Sequence, residues 1–89
     1  MSAKTLTLKY YTDPGHGWVA VKRHYLIGAN IQDRVSAYSY QRGDTVYLEE
    51  DCDAALLLDA MRAAGIVVNL VRKHTDRRHA IRSYDSYVA

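Results

Sequence analysis

The chain is poor in several residue types that usually build a small domain. Its 89 residues include no phenylalanine, one cysteine, one proline and one tryptophan. A single thiol excludes an internal disulfide, and Cys52 fits a reducing compartment. There is no apolar run of about eighteen residues, which excludes a membrane-spanning helix. The opening residues, MSAKTLTLKYY, lack the apolar core and small-residue cleavage site of a secretory leader. The expected location is therefore cytoplasmic. No low-complexity tract, linker or strong internal repeat is evident.

What is present is ordinary apolar content, 48% of the chain, and eight tyrosines in place of phenylalanine. Tyrosine fills a core while its hydroxyl stays wet, or supplies rigid contact area at an interface. The length supports one folded domain, 1–89, but not a core plus an enclosed multi-substrate site. Net charge is +2, unevenly spread. Residues 1–43 carry six Lys/Arg against two Asp, and residues 44–70 carry six acids against one Arg. Residues 71–89 carry five Lys/Arg against two Asp. These blocks can pair internally or meet different partners.

Residues Lys4–Thr12 alternate, with Leu6, Leu8 and Tyr10 opposite Thr5, Thr7, Lys9 and Tyr11, which predicts a half-buried strand. Asp13-Pro14-Gly15-His16-Gly17 predicts a turn of type II, with Pro14 and Gly15 at its centre and Asp13 bonding the turn's own backbone. A returning strand over Trp18–Val21 completes a hairpin. Val21, Tyr25 and Leu26 then fall at helical spacing, and Gly28 is placed to close a short helix. Val35–Gln41 and Thr45–Glu50 alternate around Arg42-Gly43-Asp44 and predict a second hairpin.

The segment EEDCDAALLLDAMRAAG predicts a helix with Ala54, Leu57, Leu58, Met61 and Ala64 on one face. Its acids sit at the helix start, where Asp51 or Asp53 can cap free N–H groups, and Gly65 stops it. Ile66–Val71 is apolar on both faces and predicts a central strand. Residues 74–89 predict a strand extension or an extended tail. The expected architecture is an α+β domain, mainly antiparallel, in the order β-β-α-β-β-α-β with both helices on one face.

Three candidate sites follow. The first is an acidic and tyrosine-rich surface, Tyr38, Tyr40, Tyr47, Glu49, Glu50, Asp51 and Asp53, able to mimic nucleic-acid phosphates or grip a basic protein. The competing reading of its acids is helix capping on a solvated face. The second is the loop His16, Gly17 and Trp18, read either as a plain turn or as a binding loop for a small ligand, with a hydrolase centred on His16 as the catalytic version. The third is the basic segment Arg72, Lys73, Arg77, Arg78 and Arg82, interleaved with His74, His79, Tyr84 and Tyr87, which suits nucleic acid or internal pairing with the acidic block.

No motif calls for a cofactor. His74 and His79 lack the spacing of a helical zinc pair and no cysteine pair precedes them, so no metal site is expected. The acidic stretch lacks a further convergent ligand. Cys52, surrounded by carboxylates, reads as a small core residue. The tripeptide Arg42-Gly43-Asp44 is explained by the turn alone. An exposed sheet edge and abundant tyrosine are compatible with a homodimer.

The stretches DPGHGW (13–18), YSYQRGDTVYLEEDCDA (38–54) and IRSYDSY (81–87) resemble a group of small uncharacterised proteins carried on bacteriophages and plasmids of proteobacteria. That resemblance implies a mobile-element neighbourhood and the cytoplasm of a bacterial host. It carries no activity. It points to a non-enzymatic anti-defence inhibitor, such as an anti-CRISPR, that occludes a host protein or nucleoprotein complex. A nucleic-acid-binding accessory protein using the basic segment is the alternative, and a small-ligand binder or hydrolase centred on His16 is a third.

Overall fold

A computed structural model describes residues 4–89. Strands β1 (Lys4–Thr12) and β2 (Gly17–Lys22) form the first hairpin, with Tyr11 opposite Trp18. Helix α1 (Arg23–Gly28) follows. Strands β3 (Tyr40–Arg42) and β4 (Thr45–Glu49) form the second hairpin, and helix α2 (Ala54–Ala63) leads to β5 (Ile66–His74). A 3₁₀ turn (Ala80–Ser83) and a short strand β6 (Asp85–Ser86) complete one six-stranded sheet in the order β5-β1-β2-β4-β3-β6. Among the described residues no helix is long and apolar enough to cross a membrane.

The expected alternation of hairpins and helices is present, but the sheet is mixed. β5 runs parallel to β1, and the remaining pairs are antiparallel. Connectivity forces this. A strand that returns through a helical crossover points the same way as the strand it left. β4 is flanked by β2 and β3, so β5 passes over β2 and joins the free side of β1.

β5 is therefore an edge strand, not the central one expected from its apolar faces. Ile66 and Val68 pack on the core, while Val67 stays 54% exposed.

Three local expectations also change. No glycine in the first turn has positive φ; among the glycines, only Gly43 and Gly65 do. A type II turn needs that conformation at its third position, so the loop closes differently. The Asp13 carboxylate accepts the N–H groups of Gly15 and His16, each at 3.0 Å. Gly28 lies inside α1, and Asn30 takes the left-handed conformation beyond it, at φ 58°. Residues 35–39 form turns, not a strand. The buried Asp53 carboxylate gathers the Ser36 N–H and the hydroxyls of Ser36 and Ser39, which curls that segment inward. Asp53 consequently makes no side-chain cap on α2.

Pairing settles the two faces of the sheet. Leu8, Val19, Val21, Val46 and Leu48 point to one side, where Leu26 of α1 and Leu57 and Met61 of α2 cover them. Both helices thus share a face, as expected. The opposite face carries Tyr11, Trp18 and Tyr47, and residues 79–84 cross it. His79 packs edge-on to Tyr11, and Tyr84 packs against Tyr47. Ile81 is 1% exposed and Tyr87 is 5% exposed. The Tyr87 hydroxyl donates to the Gln32 carbonyl at 2.6 Å. Residues 79–84 therefore fold back over the sheet instead of prolonging β5, and Asp85–Ser86 then add the short edge strand beside β3.

Candidate functional site

The loop between β1 and β2 is organised by Asp13. Its carboxylate takes a two-pronged grip from Arg82, with Nε at 2.6 Å and Nη2 at 2.9 Å, and also accepts the His79 N–H at 3.0 Å. The Arg82 bonds outweigh burial and, with the backbone donors, hold the Asp13 carboxyl far below the usual range. This knot ties the loop to residues 79–82 and fixes where His16 emerges.

His16 Nδ1 lies 3.5 Å from Glu49 Oε1. The other Glu49 oxygen accepts the N–H groups of Asp51 at 2.9 Å and Cys52 at 2.8 Å. Glu49 is the last residue of β4, paired with Trp18 of β2, so strand register brings acid and indole together. Trp18 is 2% exposed, and its indole N–H has no acceptor among the described residues. Such an orphaned donor is unusual in a packed interior. Tyr40 approaches Trp18 edge-on with ring centroids 6.3 Å apart, and the His16 ring lies tilted against the indole at 6.1 Å. Arg82 sits 5.5 Å from the same indole ring.

His16, Trp18, Tyr40 and Glu49 line an open cavity of about 320 Å³, which Tyr38, Asp51 and Cys52 complete. It has aromatic walls and two carboxylates at one end of the sheet. Aromatic faces and carboxylates both attract a cation. Cys52 is exposed, contrary to its expected place in the core. Its hydrogen bond to Glu49 and the surrounding acids push its thiol up, away from the nucleophilic thiolate. Among the described residues no three His, Cys, Asp or Glu side chains converge as a metal-ligating group.

The expected acidic and tyrosine surface is divided by the fold. Tyr38, Tyr40, Glu49 and Asp51 meet at the cavity, joined by His16 and Trp18 from the expected loop. Glu50 turns elsewhere and accepts the Tyr10 hydroxyl. Asp53 is internal, and Tyr47 belongs to a second aromatic cluster with Tyr11 and Tyr84. Gly17 lies outside the cavity and packs against Tyr10: a Cβ there would come within 2.6 Å of the Tyr10 hydroxyl oxygen.

The basic segment is divided as well. Arg82 is committed to Asp13, and the Arg72 guanidinium contacts the Thr12 hydroxyl at 3.4 Å. Lys73 pairs in register with Tyr11 and Arg72 with Tyr10, so the two cations leave opposite faces. Arg77 and Arg78 are exposed.

Two features had no local signal in the sequence. The Asp13–Arg82 pair spans 69 positions. Thr12, His74 and Asp76 form a chain of hydrogen bonds at 2.7 and 3.1 Å, created by the parallel register of β1 and β5. Comparison with protein-family models, curated proteins and solved structures finds no match to this chain.

Proposed function

We propose that the protein is a non-enzymatic binding protein that seats a lysine or arginine side chain of a partner protein in the His16–Trp18–Glu49 cavity. The observation that carries this is the convergence of the Glu49 and Asp51 carboxylates with the rings of Trp18, Tyr38 and Tyr40 on one concavity. A cation held between aromatic faces gains about 0.5–2 kcal/mol, more when water is excluded. Glu49 is buried, so its field is poorly screened. The exposed Asp51 and Tyr38 form the rim that a partner meets first.

In the mobile-element setting implied by the sequence resemblance, this surface would occlude a basic region of a host defence complex, as an anti-CRISPR inhibitor does.

Trp18 is the single tryptophan and reports directly on the site. Titration with an oligo-arginine peptide is expected to change its fluorescence. Asp51→Asn and Tyr38→Ala, both at exposed positions, should each weaken that binding about five- to tenfold, as loss of about 1–1.4 kcal/mol requires. Unchanged affinity in both variants, or equal binding of an oligo-glutamate peptide, would overturn the reading.

A further inference from the structure

The face of the sheet not covered by helices has a second character away from the acidic cavity. Strand pairing aligns Lys73 with Tyr11, Trp18 with Glu49, Ala20 with Tyr47, Lys22 with Thr45 and Arg42 with Thr45. Paired residues share a face, and so do residues two apart along a strand. Lys9, Lys22, Arg42 and Lys73 therefore all leave from this one side. Among the paired strand residues on that side, only Glu49 is acidic, and it lies at the far end beside Trp18.

Between the cations stands a run of tyrosines. Tyr11 and Tyr47 are 6.2 Å apart, and Tyr47 and Tyr84 are 5.3 Å apart. Arg42 donates to the Tyr84 hydroxyl at 3.1 Å and stacks its guanidinium 5.1 Å from that ring.

Pairing between β1 and β2 covers only Tyr10–Thr12 against Gly17–Val19. Beyond it the strands part around an open cavity of about 400 Å³, floored by the core residues Leu8 and Val21 and walled on this face by Lys9, Tyr11, Lys22 and Tyr47. Rings able to stack, flanked by flexible ammonium groups, match the two chemistries of an unpaired nucleotide: a planar base and a phosphate. A duplex fits this face poorly, since its bases are already stacked and paired.

We infer that the part of this face left open beside residues 79–84 binds single-stranded nucleic acid, with bases stacking on the surface that the half-buried Tyr11 and Tyr47 still expose and phosphates held by Lys9 and Lys22. The site does not use the basic segment Arg77–Arg78, and it is separate from the His16 cavity.

Fluorescence anisotropy with labelled oligo-dT and oligo-rU of about twelve nucleotides tests it. Binding should be steeply salt-dependent for at least one oligomer, and the ranking of the two distinguishes DNA from RNA. The exposed double variant Lys9→Gln/Lys22→Gln should weaken binding at least tenfold and lower the log–log salt slope by about 1.4, or about 0.7 for each lost phosphate contact. Arg77→Gln/Arg78→Gln should leave affinity within about twofold of the parent, a difference below about 0.4 kcal/mol.

Tyr47→Phe should bind like the parent, whereas Tyr47→Leu should lose affinity with the salt slope retained. Circular dichroism confirms that each variant is folded. No binding at low salt, an unaffected Lys9/Lys22 variant, equal binding of Tyr47→Phe and Tyr47→Leu, or equally tight binding of heparin would each overturn the inference.

Discussion

Asp13 shows how one side chain can determine a loop. It has two oxygens and satisfies five donors from three places in the chain: Gly15, His16, His79 and both prongs of Arg82. Asp13 is enclosed but the Arg82 side chain is a quarter exposed, so losing the carboxylate costs about 1–3 kcal/mol, the range for a lost charged hydrogen-bond partner. Asp13→Ala should lose that much in denaturant unfolding and should also disorder His16. The carboxyl is depressed in the folded state, so its contribution is fully present above the ordinary carboxylate pKa of about 4 and fades as pH falls below it. The stability of the parent should therefore drop more steeply than that of Asp13→Asn between about pH 5 and pH 2. Parallel curves would show that the pair adds nothing to acid sensitivity.

Gly17 acts at the same scale through the space it leaves. An added Cβ would collide with the Tyr10 ring, whose hydroxyl donates to Glu50. Burial and that bond push the Tyr10 pKa up to about 12. Gly17→Ala should cost about 1–3 kcal/mol, the usual range for overpacking. It should also bring the Tyr10 pKa down toward the ordinary phenol value, read by tyrosinate absorbance against a Tyr10→Phe control. An unchanged titration would mean the ring yields without losing Glu50.

At the scale of elements, local pattern and distant pairing contribute differently. The alternation of Leu6, Leu8 and Tyr10, the apolar stripe of α2 and the stop at Gly65 are properties of neighbouring residues, so they were legible in the sequence. The position of β5 was not. Its run of Ile66, Val67 and Val68 reads as doubly buried, yet its place at the edge depends on β4 already having neighbours on both sides. Residues 35–39 alternate like a strand, but Asp53 captures Ser36 and Ser39 and bends them. The acid that pattern assigned to a helix cap thus serves another segment.

The candidate cavity was half legible for the same reason. Its tyrosines, Glu49, Asp51 and His16 stood out individually, but their meeting requires the Trp18–Glu49 register. Four of the expected residues reach other surroundings: Tyr47, Glu50, Asp53 and Gly17.

At the scale of the whole molecule, charge that looks blocked along the chain is re-sorted by the sheet. The strands place an acidic, aromatic cavity at one end of the open face and a basic, tyrosine-rich platform beyond it. Residues 79–84 cross between them and complete the burial of Trp18 through His79 and Arg82. A chain ending at residue 78 should lose this cover. Its tryptophan emission should shift to the red, and its unfolding should lose cooperativity, because Ile81 and Tyr87 are also removed from buried positions. An unshifted spectrum with a sharp transition would show that the two-helix sheet is self-sufficient.

The crossing segment also sets the order of events during synthesis. Trp18 leaves the ribosome well before His79 and Arg82, the residues that seal it. The long parallel pairing of β1 with β5 is likewise deferred, since Lys4 meets Ile66 and Thr12 meets His74. Such distant contacts slow folding because loop closure must precede their gain. Until then the chain has an unfinished strand edge and an uncovered indole. Pairing of β1 with β5 and closure of residues 79–82 over Trp18 are therefore the contacts of this fold that form last.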